Sequence, residues 1–308
     1  MPKIGLSLMI AALLGRPAIA DEQILFMSDR DGKPDLFIMD ADGANPVNLT
    51  HSAAAESFPS WSPDGAKVVF EWTANTGGES IYVMDADGGN LAAIIPSSTV
   101  VDYPNWSPAG ARIVFALLLE SGFDLFVAGA DGEGAVNITL SGADEIFPVW
   151  SPDGAHIVFT SDMGGQPDLY IIDADGTAPF RLTNDAAFEA FPAWSPDGAN
   201  IAFASFRDGD WDIFVVAAHG GPVRKLIAHP GVDVHPVWSP DGMRIAFTSD
   251  RDGNPDIFVA AADGSNPSNL TADPGIDISP AWRPIPPPTL VQVRSWAQIK
   301  ARIYPLAK

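Results

Sequence analysis

The chain has 308 residues, 46% of them hydrophobic, which is ample for a packed core and long for one ordinary domain unless the architecture is repetitive. Asp and Glu number 39 against 17 Lys and Arg, a formal net charge of -22 that repels nucleic acid and anionic lipid, so a charged partner would be cationic. With no cysteine, disulfides and thiolate metal centres are excluded.

Residues 1–20 come first in chain order. Lys3, an apolar stretch over residues 4–14 and Ala18-Ile19-Ala20 have the layout of an export signal cleaved after Ala20. The apolar stretch is shorter than the roughly 20 residues that a membrane helix needs, and no other segment approaches a span. The expected mature chain therefore starts at Asp21 and is periplasmic or secreted.

From residue 24 onward one unit recurs. Trp61, Trp106, Trp150, Trp194, Trp238 and Trp282 are spaced by 45, 44, 44, 44 and 44 residues, and each has a proline two positions earlier. Most of these tryptophans open Ser-Pro-Asp-Gly or a close variant. Proline suits the second turn position, Asp accepts local hydrogen bonds and Gly supplies positive φ, so this is a hairpin turn. An apolar strand follows (residues 68–70, 113–115, 157–159, 201–203 and 245–247), then a polar loop. A third strand, such as residues 36–38 or 257–259, leads to a D-x-D-G turn at residues 40–43, 85–88 and 173–176, and a last strand such as residues 47–50 ends the unit.

Each unit predicts a four-stranded antiparallel sheet. Such a sheet cannot bury both faces alone, so the units must stack, and units of about 40–45 residues with four strands indicate an all-β propeller. Residues 24–50 supply strands two to four with no Trp strand before them, whereas residues 276–282 supply a Trp strand with nothing after it. The fragments make one whole blade. The expectation is a six-bladed β-propeller over residues 21–284, closed by the C-terminal Trp strand, with a Pro-rich link and short tail at 285–308.

The units, for example F-P-A-W-S-P-D-G-A-N-I-A-F at residues 191–203 and S-D-R-D-G-N-P-D-I-F at 249–258, closely resemble the WD-like repeats of TolB-type β-propellers. The resemblance covers residues 24–284. It implies a protein-interaction module of the cell envelope, monomeric and without catalysis, whose partner is an envelope lipoprotein or a basic segment. It does not extend to the α/β domain that precedes the propeller in TolB itself, because only residues 21–23 separate the signal from the first blade.

Strand direction puts the S-P-D-G and D-x-D-G turns on one face of the ring and the variable loops on the other, where binding is expected. An acid stands five residues before Trp in five blades, Glu56, Glu145, Glu189, Asp233 and Asp277, and four residues before it in the third, Asp102. These six predict a carboxylate ring at one channel mouth, reinforced by loop acids such as Asp29, Asp162 and Asp250. The ring would be a partner-binding site or a hard-cation site such as calcium, or else a solvated rim. Asp35, Asp124, Asp168, Asp212 and Asp256, each just before strand three, read as loop caps bonded to backbone amides.

His51, His229 and His235 fall on the loop face. Polysaccharide lyase propellers of related repeat type would use a histidine-bound divalent metal, which makes these three candidate ligands of a metal-dependent carbohydrate-active enzyme, one alternative to a binding module; a structural propeller with a bound cation is the other. No Ser-His-Asp signature, phosphate-cradling glycine loop or helical zinc motif is present. The N-x-T triplets at Asn48, Asn137 and Asn269 coincide with the end of strand four and read as structural.

Overall fold

The computed structural model describes residues 22–74, 78–96 and 99–285. The signal-like segment and the tail beyond residue 285 lie outside these residues. Twenty-four strands form six four-stranded antiparallel sheets, and the first sheet joins residues Asp277–Trp282 from the end of the chain to Gln23–Ser28, Asp35–Asp40 and Val47–Asn48 from its start. The seam pairs Ile24 with Trp282 and Ser28 with Asp277. Arg283 fastens it further, donating to the Gln23 side chain at 2.6 Å and to the Gly65 carbonyl of the next blade at 2.8 Å. Six blades and closure by the Trp strand therefore stand as the repeat predicts; the sheet of Asp277–Trp282 is called blade one here, and the sheets beginning at Ala55, Val101, Glu145, Glu189 and Asp233 are blades two to six.

The core lies between blades. Strand two of each blade contributes a fully buried phenylalanine, Phe26, Phe70, Phe115, Phe159, Phe203 and Phe247 in ring order. These β-branched and aromatic strands bury both faces because each sheet is sandwiched by its neighbours. The outer edge is closed by the strand-three to strand-four turn. Gly43, Gly88, Gly132, Gly176 and Gly264 have φ of +84° to +85°, and a Cβ on any of them would collide with a carbonyl oxygen of the preceding blade's outermost segment. Glycine is required there twice, for the left-handed backbone and for the close approach.

Candidate functional site

The axis is built by one repeated irregularity. In each innermost strand the residue three before Trp adopts a left-handed conformation: Phe58, Tyr103, Phe147, Phe191, His235 and Ser279 have φ of +48° to +56°. In blades two to six the ladder to strand two shifts register around it, the mark of a β-bulge, and the seam ladder shifts at the same height. A residue before proline is normally extended, so this conformation is strained, and its recurrence in six blades shows that the ring requires it. The bulge turns the side chain towards the axis. Ring centroids then lie 4.7 Å apart for Phe58 and Tyr103, 4.3 Å for Tyr103 and Phe147, 4.2 Å for Phe147 and Phe191, and 4.0 Å for Phe191 and His235. Ser279 is the one position of the ring without an aromatic side chain. Burial among the rings pushes the His235 imidazole well below the usual histidine range, so it is neutral at pH 7.

Above this aromatic floor lies a cavity of about 430 Å³, walled by the proline two before each Trp and rimmed by turn prolines such as Pro63 and Pro108. Its lining runs from the aromatic ring towards the S-P-D-G turns, so the funnel belongs to the turn face. The S-P-D-G turns on this face carry four exposed aspartates, Asp64, Asp153, Asp197 and Asp241, none of which lines the cavity itself. In each turn the serine hydroxyl donates to this carboxylate, as Ser62 does to Asp64 at 2.6 Å. Those serine bonds, with a backbone amide, hold Asp64, Asp153 and Asp197 below the ordinary carboxylate range. The equivalent position is Ala109 in blade three and Ile285 in blade one.

The predicted carboxylate ring is arranged differently. Glu56, Glu145, Glu189, Asp233 and Asp277 are at most 1% exposed, so they do not line an open channel mouth. Each is held inside the wall by nearby donors, although one oxygen of Glu145 and one of Asp277 have no hydrogen-bond partner. Thr50 and Ser52 donate to Glu56, Ser141 and Ser161 to Glu145, and Thr183 and Arg207 to Glu189. Arg251 reaches Asp233 at 2.8 Å, and Arg30 reaches Asp277 at 2.7 Å. Thr50 and Thr183 follow the outer strand of the preceding blade and so tie Glu56 and Glu189 to it, whereas Arg251 and Arg30 lie in the same blade as their acids. Asp102 is separate from all five and faces blade two, where it meets Glu71 and Glu79. The loop acids Asp29, Asp162 and Asp250 accept backbone amides from Ile276, Asp144 and Val232, which fixes the approach to the inner strand.

The strand-three aspartates are caps of another kind than expected. Their partners are mainly side chains thirteen residues later: Asn48 for Asp35, Asn137 for Asp124, Arg181 for Asp168, Lys225 for Asp212 and Asn269 for Asp256. The same asparagines accept the amide two residues on, which explains the N-x-T triplets without glycosylation. The three histidines are not brought together. His51 is exposed, His229 accepts the Gly231 amide, and His235 sits in the axial floor. Among the described residues, the group of three side chains that could hold a metal is Glu71, Glu79 and Asp102, with no histidine.

A ring of repeat-built blades around a plugged axis, with an apolar funnel on one face, defines a six-bladed β-propeller. The profile of the TolB beta propeller domain matches residues 94–190 and 181–295, and the chain belongs to that family. It is 32% identical over 71 residues to the Protein TolB homolog of Chlorobaculum tepidum, a match covering 23% of this chain and 16% of that protein. With the Tol-Pal system protein TolB of Desulfosudis oleivorans it shares 34% over 64 residues, 21% of this chain and 14% of the other. The curated relatives are thus matched over about a seventh of their length. The crystal structure of TolB from Acinetobacter baumannii superposes with a TM-score of 0.77 at 25% identity, over 89% of this chain and 69% of that one.

Proposed function

We propose that the protein is an exported interaction module, periplasmic or secreted, that binds a protein partner through its turn face and carries out no chemistry of its own. The observation that carries this is the pairing of an apolar axial funnel with ionised aspartates in the turns of the same face. That arrangement suits one apolar or aromatic side chain flanked by Lys or Arg, such as an exposed loop of an envelope lipoprotein or a basic segment. The apolar tip would gain by burial and the flanking cations by steering towards the acidic face. The relationship to the Tol-Pal system protein supports an envelope partner. Among the described residues no helix is long and apolar enough to cross a membrane.

The test uses capture from an envelope extract with three forms of the mature chain. Asp64→Asn, Asp153→Asn, Asp197→Asn together remove charge but keep acceptors for the turn, and Ser279→Phe fills the last ring position with a residue that Phe147 and Phe191 show the same backbone accepts. The wild type should recover a partner whose retention falls with salt, the triple variant less, and the filled ring least. Equal recovery by all three forms at both low and high salt would refute the proposal.

A further inference from the structure

The repeat supplies its own control, because any column of equivalent positions shows what the architecture needs. Three columns depart from the pattern at one place, the seam between blades two and three. Ten residues after Trp, the other blades carry Ala116, Thr160, Ala204, Thr248 and Met27, whereas blade two carries Glu71. Four before Trp, most blades carry Ile146, Ala190, Val234 or Ile278, whereas blade three carries Asp102. At the start of strand three, where Pro34, Pro167 and Pro255 stand elsewhere, blade two has Glu79. A solvated surface would not need these changes to coincide, yet they converge: one carboxylate oxygen from each lies within 4.8 Å of the others.

The cluster is half-buried and no cation answers it among the described residues. Glu71 is 7% exposed, and its Oε2 and that of Glu79 are enclosed without a hydrogen-bond donor. Where the wall buries an acid in blades one, five and six, an arginine answers it, Arg30, Arg207 and Arg251. None of the ion pairs among the described residues reaches Glu71, Glu79 or Asp102. Burial, with repulsion from Asp102 and Glu79, pushes Glu71 up to about 8; burial with repulsion from Asp102 raises Glu79, burial raises Asp102, and burial followed by the three nearby charges raises the phenol of Tyr103 in the axial ring. Left alone, three carboxylates this close are unfavourable. Their all-oxygen ligand set, and oxygen separations that fit around bonds of about 2.3–2.6 Å, match a hard divalent cation of calcium size rather than zinc.

We propose that Glu71, Glu79 and Asp102 form a calcium site that staples blade two to blade three, neutralising buried acid with an ion where blades one, five and six each use an arginine of the same blade. The full mature chain, stripped with chelator and dialysed into 0.15 M NaCl, is titrated with CaCl2 by calorimetry and melted with and without it. One ion should bind per chain, and a hundredfold excess over Kd should raise the melting temperature by about 5–10 °C. Asp102→Ile restores the repeat's own residue, and Glu71→Gln together with Asp102→Asn keeps the shape. Both variants should fold, with higher melting temperatures than the stripped wild type, and should lose the calcium response. Glu145→Gln, an acid of the wall in another seam, should retain it. Terbium in place of calcium adds a local readout, because Tyr103 beside the site would sensitise its emission in the wild type and not in Asp102→Ile. Absence of stoichiometric binding by the wild type would mean that the cluster instead shares a proton, and an undiminished response in Asp102→Ile would mean that calcium binds elsewhere; either result overturns the assignment.

Discussion

Trp282 tests the ring most directly, because it lies at the seam where no covalent link holds strand one to strand two. It is 6% exposed and packs with Ile24, Phe26 and Met39 of the N-terminal strands and Ala246 and Ile257 of blade six. The Arg244 guanidinium covers its ring at 4.7 Å, and Arg244 is itself paired with Glu22. Replacing a buried tryptophan by alanine costs about 3–5 kcal/mol in lost transfer energy and cavity. Against a total stability of about 5–15 kcal/mol this is a large share. At about 2–4 °C per kcal/mol for a domain approaching this size, the melting temperature should fall by about 6–20 °C. Urea unfolding followed by circular dichroism measures the cost, with two truncations beside it. A chain ending at residue 285 keeps the whole seam and should match the parent. One ending at residue 274 loses Asp277–Trp282, leaves Arg30 without Asp277, and should no longer unfold in one sharp transition. Were Trp282→Ala to cost under about 1 kcal/mol, or the 274 chain to melt as sharply and as high as the 285 chain, the reasoning from ring closure would be wrong.

Burial pushes Glu56 up to about 7 against an ordinary value of 4.5. Between those limits the folded protein keeps a proton that the unfolded chain releases, so this group's contribution to stability falls as pH rises from 4.5 to 7 and stays low above. Glu56→Gln should therefore gain on the wild type between pH 5 and pH 8 in urea unfolding; a difference that is constant across that range would contradict the assignment. Gly264→Ala and Gly253→Ala both force alanine into a left-handed backbone, but only at Gly264 does the new Cβ strike the Leu226 carbonyl of the neighbouring blade. The first should cost several kcal/mol and the second about 1 kcal/mol, and equal costs would show that the contact between blades is loose.

Blade number and closure could be read from sequence because they rest on residues whose backbone demands are intrinsic: proline before Trp, Asp-Gly at the turns, and strand fragments at the two ends that complete each other. The site was less legible. A position near a strand end does not say whether a carboxylate faces the axis or the neighbouring blade, and the donors that bury Glu145 or Glu189 lie four to eighteen residues away, in loops and one other strand. The axial ring was missed because Phe-Pro, Tyr-Pro and His-Pro read as ordinary alternating strand, whereas the bulge breaks the two-residue period and sends those side chains inward. The signal was present: an aromatic residue precedes the proline in four blades and a histidine in a fifth. Column-wise comparison of the blades would also have exposed Glu71 and Asp102 as exceptions. The turn aspartates were recognised for their geometry, but that their face holds a funnel depends on how far strand one tilts inward, which no local pattern records.

The turn glycines pressed against the preceding blade have a bearing on how the molecule behaves in a crowd. Four of the outermost strands are only two residues long, and at five seams a neighbour's backbone lies over the segment at that rim. A passing chain therefore finds almost no free row of amides and carbonyls on which to grow a sheet. Resistance to fibril formation would then come from the fit of glycine to carbonyl rather than from the negative charge, and it should persist in high salt or near the isoelectric point, where repulsion between copies disappears.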